Sequence, residues 1–221
     1  MNGYMKPQDI EKRSFEIITA ELGERTFPAG IAEVVKRVIH TTADFDYAKN
    51  LRFTPGAVQK AVEALHKGAF LVTDTNMALA GITKPGLTKL GGQAACYMAD
   101  PEVAARAKEE GTTRAVAAMH KAAAEHPGAI LAVGNAPTAL LTIAEQIEAG
   151  LRPALVIGVP VGFVNVVESK ERLFVTCEAH GVPAIVAMGR KGGSNVAAAI
   201  CNALIYSAAE MLDPTARGWN G

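Results

Sequence analysis

The 221-residue chain carries 22 Lys+Arg against 22 Asp+Glu, so its formal net charge is zero. A chain of this length fits one domain that buries about 70% of its unfolded surface, and the charge balance lacks the basic excess of a nucleic-acid binder. With 49% hydrophobic and 20% charged residues disorder is excluded, and 5% aromatics leave Ala, Val, Leu and Ile to build the core.

The N-terminal stretch Met1 to Asp9 is polar and holds no apolar signal segment. From Asp9 to Leu22, Ile10, Ile17, Ile18 and Leu22 recur at helical spacings, and Gly23 stops the run. Pro28 suits a helix start, and Ile31, Val34, Val35 and Val38 follow the i, i+3, i+4, i+7 pattern. Thr54–Pro55 opens a further helix over Gly56–Lys67, closed by Gly68. The first third therefore reads as helical. Beyond it, short apolar runs recur at Ala69–Thr73, Ala94–Met98, Ala129–Val133, Ala154–Val159 and Pro183–Met188. Each is followed by a turn residue and an Ala-rich helical stretch, which predicts parallel strands covered on both faces. The last helix is expected over Asn195–Met211, ending before Pro214. The expected architecture is a three-layer α/β/α sandwich with a mainly parallel sheet and a helical N-terminal segment, in a single domain spanning 1–221.

Cys96, Cys177 and Cys201 are scattered and never form a CxxC pair, which disfavours disulfides and zinc and fits a reducing cytosol. The uncharged stretches Gly128–Ala144, Pro153–Val167 and Gly192–Ala209 are broken by Pro, Gly or polar residues, so none reads as a membrane span. The expectation is a soluble, cytoplasmic protein with no membrane or nucleic-acid partner.

In layered α/β folds ligands sit beyond the carboxyl ends of the strands. The loops expected there are Asp74–Asn76, Gly134–Thr138, Gly158–Gly162 and Gly189–Ser194. Their small residues and adjoining helix N-termini suit an anion, and Arg190 and Lys191 add two cations. Gly189-Arg-Lys-Gly-Gly-Ser194 matches neither GxxxxGK[ST] nor GxGxxG, so it reads as an anion-presenting turn more readily than as a nucleotide motif. On the helix over Ile31–His40, the apolar residues cluster on one side, while Glu33, Lys36, Arg37 and His40 fall on the other. That polar face has two readings. It is a solvated face with a Glu33–Arg37 pair, or it is a site where Arg37 holds an anion and His40 exchanges a proton with it. His66, His120, His126 and His180 have no such setting, and no histidine pair has metal-site spacing. Ser14 beside Arg13, and Thr113 beside Arg114, are further hydroxyl–arginine pairs that also read as helix surface or cap.

Taken together, these segments resemble the precorrin-8X (cobalt-precorrin-8) methylmutase family. The resemblance runs from Arg13-Ser14-Phe15 through Arg37-Val-Ile-His40, Thr73–Met77 with Gly81, and Thr112-Thr-Arg114. Its most specific part is Gly134–Leu140 followed by Gly158–Val164 and Glu168-Ser-Lys170, completed by Gly181–Ile185 and Gly189–Ser194. Thr41-Thr42-Ala43 departs from the small residues expected there and leaves the histidine position intact. The resemblance implies a methyl shift from C-11 to C-12 of ring C of a corrinoid substrate, a polycarboxylate macrocycle. It implies no cofactor, no metal and a homodimer. It maps the catalytic histidine onto His40 and substrate contacts onto Ser14 and Arg37, with Thr113, Arg114, Asn135, Arg190, Gly192, Gly193 and Ser194 as further contacts. Arg13, Arg37, Arg114, Arg190 and Lys191 are expected to supply the positive charge of the cleft. The competing readings are a non-catalytic tetrapyrrole carrier and a nucleotide-dependent enzyme on a Rossmann-like fold.

Overall fold

The computed structural model describes residues 6–217. In chain order the helices and strands are α1 (Pro7–Leu22), α2 (Ile31–Thr42), α3 (Tyr47–Asn50), β1 (Leu51–Phe53), α4 (Ala57–His66), β2 (Leu71–Thr73), α5 (Asn76–Gly81), α6 (Lys84–Lys89) and β3 (Ala94–Ala95). They continue with α7 (Pro101–Glu109), α8 (Arg114–Glu125), β4 (Ile130–Val133), α9 (Pro137–Glu148), β5 (Leu155–Gly158), α10 (Val166–His180), β6 (Ala184–Ala187) and α11 (Ser194–Ala208). A short 3-10 turn over Pro214–Arg217 follows.

The six strands form one sheet in the order β1-β6-β5-β4-β2-β3. All neighbours are parallel except β1, which pairs antiparallel with β6, Leu51 opposite Ala187 and Phe53 opposite Ile185. The layered, mainly parallel sheet is as the sequence predicts, with one correction. A strand, β1, lies in the first third, which reads as helical, between the helices expected from Pro28 and over Gly56–Lys67. Its three residues are too few to show a two-residue period, and its conformation is dictated by pairing with β6.

The inner strands are buried throughout, and alternate side chains enter two cores. Ile130 and Ala132 of β4 join the cluster under α1, α2, α4 and α11, while Leu131 and Val133 join the cluster under α8 and α9. Helix α11 packs on β4 and β5 and against α2, α4 and α5, which explains its almost unbroken run of buried apolar residues from Val196 to Ile205. Helix α2 lies on α11 and carries α1 on its outer side. Because β1 starts opposite the last residue of β6, the turn after α2 enters the sheet at its carboxyl edge. Among the described residues no helix is long and apolar enough to cross a membrane.

Candidate active site

At the end of α2, Val34, Val35, Val38 and Ile39 face the core, which leaves Arg37 and His40 on the side turned to α1. The exposed His40 ring stacks on Phe15 of α1, centroids 5.2 Å apart and planes 15° apart. The Arg37 guanidinium lies 4.6 Å from the same Phe15 ring and 5.3 Å from the Tyr206 ring of α11. Its charge is met by Glu11, also on α1, at 2.8 Å. Glu11 accepts two further hydrogen bonds from Arg217 Nη1, at 2.7 and 2.9 Å. Arg217 in turn stacks on Tyr206 at 3.9 Å. One carboxylate therefore holds two guanidiniums, and joins the first described helix, α2 and the C-terminal turn. Ser14 lies on α1 between Glu11 and Phe15, and its hydroxyl donates to the Ile10 carbonyl within the helix.

His40 sits in an electropositive setting. Partial desolvation of its ring against the protein first, then the adjacent Arg37, push its pKa below the ordinary 6.5, and Glu11 partly offsets them. The imidazole is accordingly mainly neutral at neutral pH.

The second group of residues lies at the carboxyl edge of the sheet. The buried Asp74, directly after β2, accepts hydrogen bonds from the backbone N–H groups of Gly134, Asn135 and Ala136, each at 2.8 Å. Burial pushes its carboxyl up, and the three N–H donors pull it back. A Cβ on Gly134 would stand 2.7 Å from the Ser194 Cα, so the β4–α9 and β6–α11 loops touch backbone to backbone. The Ser194 hydroxyl bonds that of Thr75 at 2.8 Å. Gly192 presses on the Val159 carbonyl, and the Gly193 N–H donates to that oxygen at 2.8 Å. Thr113 caps α8 through the Val116 N–H, and its hydroxyl meets that of Thr138 at the start of α9, 3.4 Å away. Arg114 and Asn135 are exposed. The Arg190 guanidinium lies 5.5 Å from the Phe163 ring. Met77 at the start of α5, and Phe163 and Val164 in the loop after β5, are exposed apolar side chains, 74%, 82% and 78% exposed.

The two groups are linked by Lys191. Its Nζ lies 2.6 Å from both Asp44 and Asp46, in the turn that follows His40.

A family model described as precorrin-8X methylmutase matches residues 9–207. The chain belongs to that family. It is 44% identical over 201 residues to the cobalt-precorrin-8 methylmutase of Priestia megaterium, covering 90% of this chain and 88% of that one. It is 39% identical over 198 residues to the precorrin-8X methylmutase of Pseudomonas aeruginosa, covering 89% and 94% respectively. The crystal structure of precorrin-8x methyl mutase from Thermus thermophilus superposes with a TM-score of 0.82 at 44% identity, over 91% of this chain and 98% of that one. The chain is therefore a methylmutase, an isomerase of cobalamin biosynthesis, and the carrier and nucleotide-enzyme readings fall away.

Within this methylmutase the sequence-predicted residues divide into the two groups above. His40 and Arg37 of α2 meet Phe15 and Glu11 of α1, and Ser14 lies on that same helix with its hydroxyl turned to the Ile10 carbonyl. Thr113, Arg114, Asn135, Arg190, Gly192, Gly193 and Ser194 gather on the loops at the carboxyl edge. Three expectations change. Arg37 pairs with Glu11 rather than with Glu33, whose Oε2 is buried without a hydrogen-bond partner among the described residues. Arg13 pairs with Glu16, and Lys191 with Asp44 and Asp46, so three of the five expected cations carry a carboxylate inside the chain. The N–H groups of residues 134–136, expected to face a ligand, are turned to Asp74 instead. Sequence reasoning missed Glu11, Tyr206 and Arg217, which stand far apart in the chain and match no motif. Asp74 and Lys170 are visible in the family's segments, but nothing local in the sequence marks either as the anchor of a loop.

Proposed function

We propose that this methylmutase catalyses the intramolecular shift of a methyl group from C-11 to C-12 of ring C of precorrin-8, or of its cobalt form, giving hydrogenobyrinate or cobyrinate. The bond from the methyl carbon to C-11 breaks as its bond to C-12 forms, so substrate and product have equal mass and no external methyl donor takes part. His40 lends a proton or a strong hydrogen bond to the ring-C region and recovers it after migration. The observation that carries this reading is the setting of His40: an exposed imidazole stacked on Phe15 and beside Arg37, with its pKa held down.

A substrate carboxylate arriving beside Arg37 would raise the pKa of His40 and charge it at the moment it is needed. Ser14 and Arg37 serve as substrate contacts on the two helices that hold the histidine and its stacking partner Phe15. Thr113, Arg114, Asn135, Arg190, Gly192, Gly193 and Ser194 hold acetate and propionate groups at the macrocycle's rim, and the exposed side chains of Met77, Phe163 and Val164 receive its apolar face. The enzyme works as a homodimer in the cytoplasm. Its three cysteines, all free, suit that compartment, and sedimentation velocity showing a single 23.1 kDa species would remove the dimer.

The deciding experiment is turnover and product binding in His40→Ala. Loss of the proton step lowers turnover by ~10²–10⁴-fold with product binding retained. Near-normal turnover would sink the proton role. Because the protonated imidazole is the donor, kcat/KM of the wild type declines as pH rises through a value below 6.5.

A further inference from the structure

Lys170 lies in α10, and its side chain is fully buried, at 0% exposure. Its Nζ donates to the carbonyl oxygens of Gly189 at 2.7 Å and Lys191 at 2.9 Å. Among the described residues no carboxylate lies within ion-pair distance of it. Burying an ammonium without a counter-ion is costly, and here burial pushes its pKa down to about 8. Filling the volume alone would need only Met or Leu. What the ammonium adds is a pair of donors aimed at two carbonyls of a single loop.

The same loop is held from its other side by the Gly162 N–H, which donates to the Arg190 carbonyl at 3.2 Å, and by the Gly193 N–H on Val159. The carbonyls of 189, 190 and 191 are thus all committed inward. The Arg190 guanidinium is then placed over Phe163, and the Lys191 ammonium over the turn behind His40.

We propose that Lys170 is a positioning residue for the substrate: its two hydrogen bonds fix the backbone of loop 189–194, from which Arg190 and Ser194 meet the macrocycle. This rests on the reading above that the loop holds substrate carboxylates. In Lys170→Met both donors vanish at similar volume, and Lys170→Gln keeps N–H donors without the charge. For each, kcat and KM are measured with whichever of precorrin-8 and its cobalt form the wild type converts, and hydrogen exchange is followed at the Gly162 and Gly193 amides.

The expected result is a KM raised about tenfold, the effect of one misplaced charge-assisted hydrogen bond, with kcat changed by less than about threefold. Exchange at both amides accelerates, and Lys170→Arg, which keeps charge and donors, recovers part of the KM. A variant with faster exchange and an unchanged KM overturns the proposal, as does a raised KM with unchanged exchange. If Lys170→Met does not fold, Lys170→Gln carries both readouts. Wild-type enzyme that leaves both precorrin-8 and its cobalt form unchanged would instead defeat the substrate reading, and the exchange data would still report on the clamp.

Discussion

Glu11 does the most for the least chain length. Burial pushes its carboxyl up, but the Arg217 and Arg37 guanidiniums outweigh it, and the pKa ends below the ordinary 4.5. A carboxylate depressed in the folded state adds stability above its unfolded pKa and loses it as pH falls through the folded value. Unfolding at neutral pH should show Glu11→Gln destabilised by about 3–5 kcal/mol, since two nearly buried guanidiniums lose the carboxylate they share. The variant should also lack the part of the wild type's acid sensitivity that sets in below 4.5. Glu11 raises the pKa of His40, so its loss lowers that pKa further. An NMR titration of the His40 imidazole checks this, and an unchanged or higher value would show that Glu11 is not coupled to the histidine.

Among the elements, the loops at the carboxyl edge are locked to one another, not only to their own strands. Gly134→Ala places a methyl group 2.7 Å from the Ser194 Cα and 2.9 Å from the Gly193 carbonyl, neither of which can swing aside as a side chain would. Thermal unfolding should register about 1–3 kcal/mol of destabilisation, with substrate affinity reduced alongside. Much of this tier was legible in the sequence. The apolar runs at 129–133 and 154–159 announce strands buried on both faces, and the 3.6-residue period of Val34, Val35 and Val38 places Arg37 and His40 on the opposite side of their helix. What stayed hidden depends on contacts across long sequence separations. Leu51–Phe53 becomes a strand only because β6 is beside it, Asp74 reaches sixty residues along the chain for Gly134, and Arg217 meets Glu11 from the far end. No local pattern encodes such partners.

For the molecule as a whole, zero net charge conceals an uneven supply of usable cations. Of the five expected to face a polycarboxylate, Arg13, Arg37 and Lys191 are already paired, while among the described residues Arg114 and Arg190 have no carboxylate within ion-pair distance. Steady-state kinetics should therefore show Arg190→Ala raising KM by about 10–100-fold, the worth of a hydrogen bond between charged groups, and added salt weakening the wild type. A KM indifferent to both would leave the loop without an electrostatic role. The sheet itself ends in very little. Its outermost strands are β1, with three residues, and β3, with two. So short a border offers a neighbouring molecule almost no unpaired backbone to extend. Crowded copies of this enzyme are thus protected from zipping together strand by strand, and any association between them must be made by side chains, where its geometry can be specified.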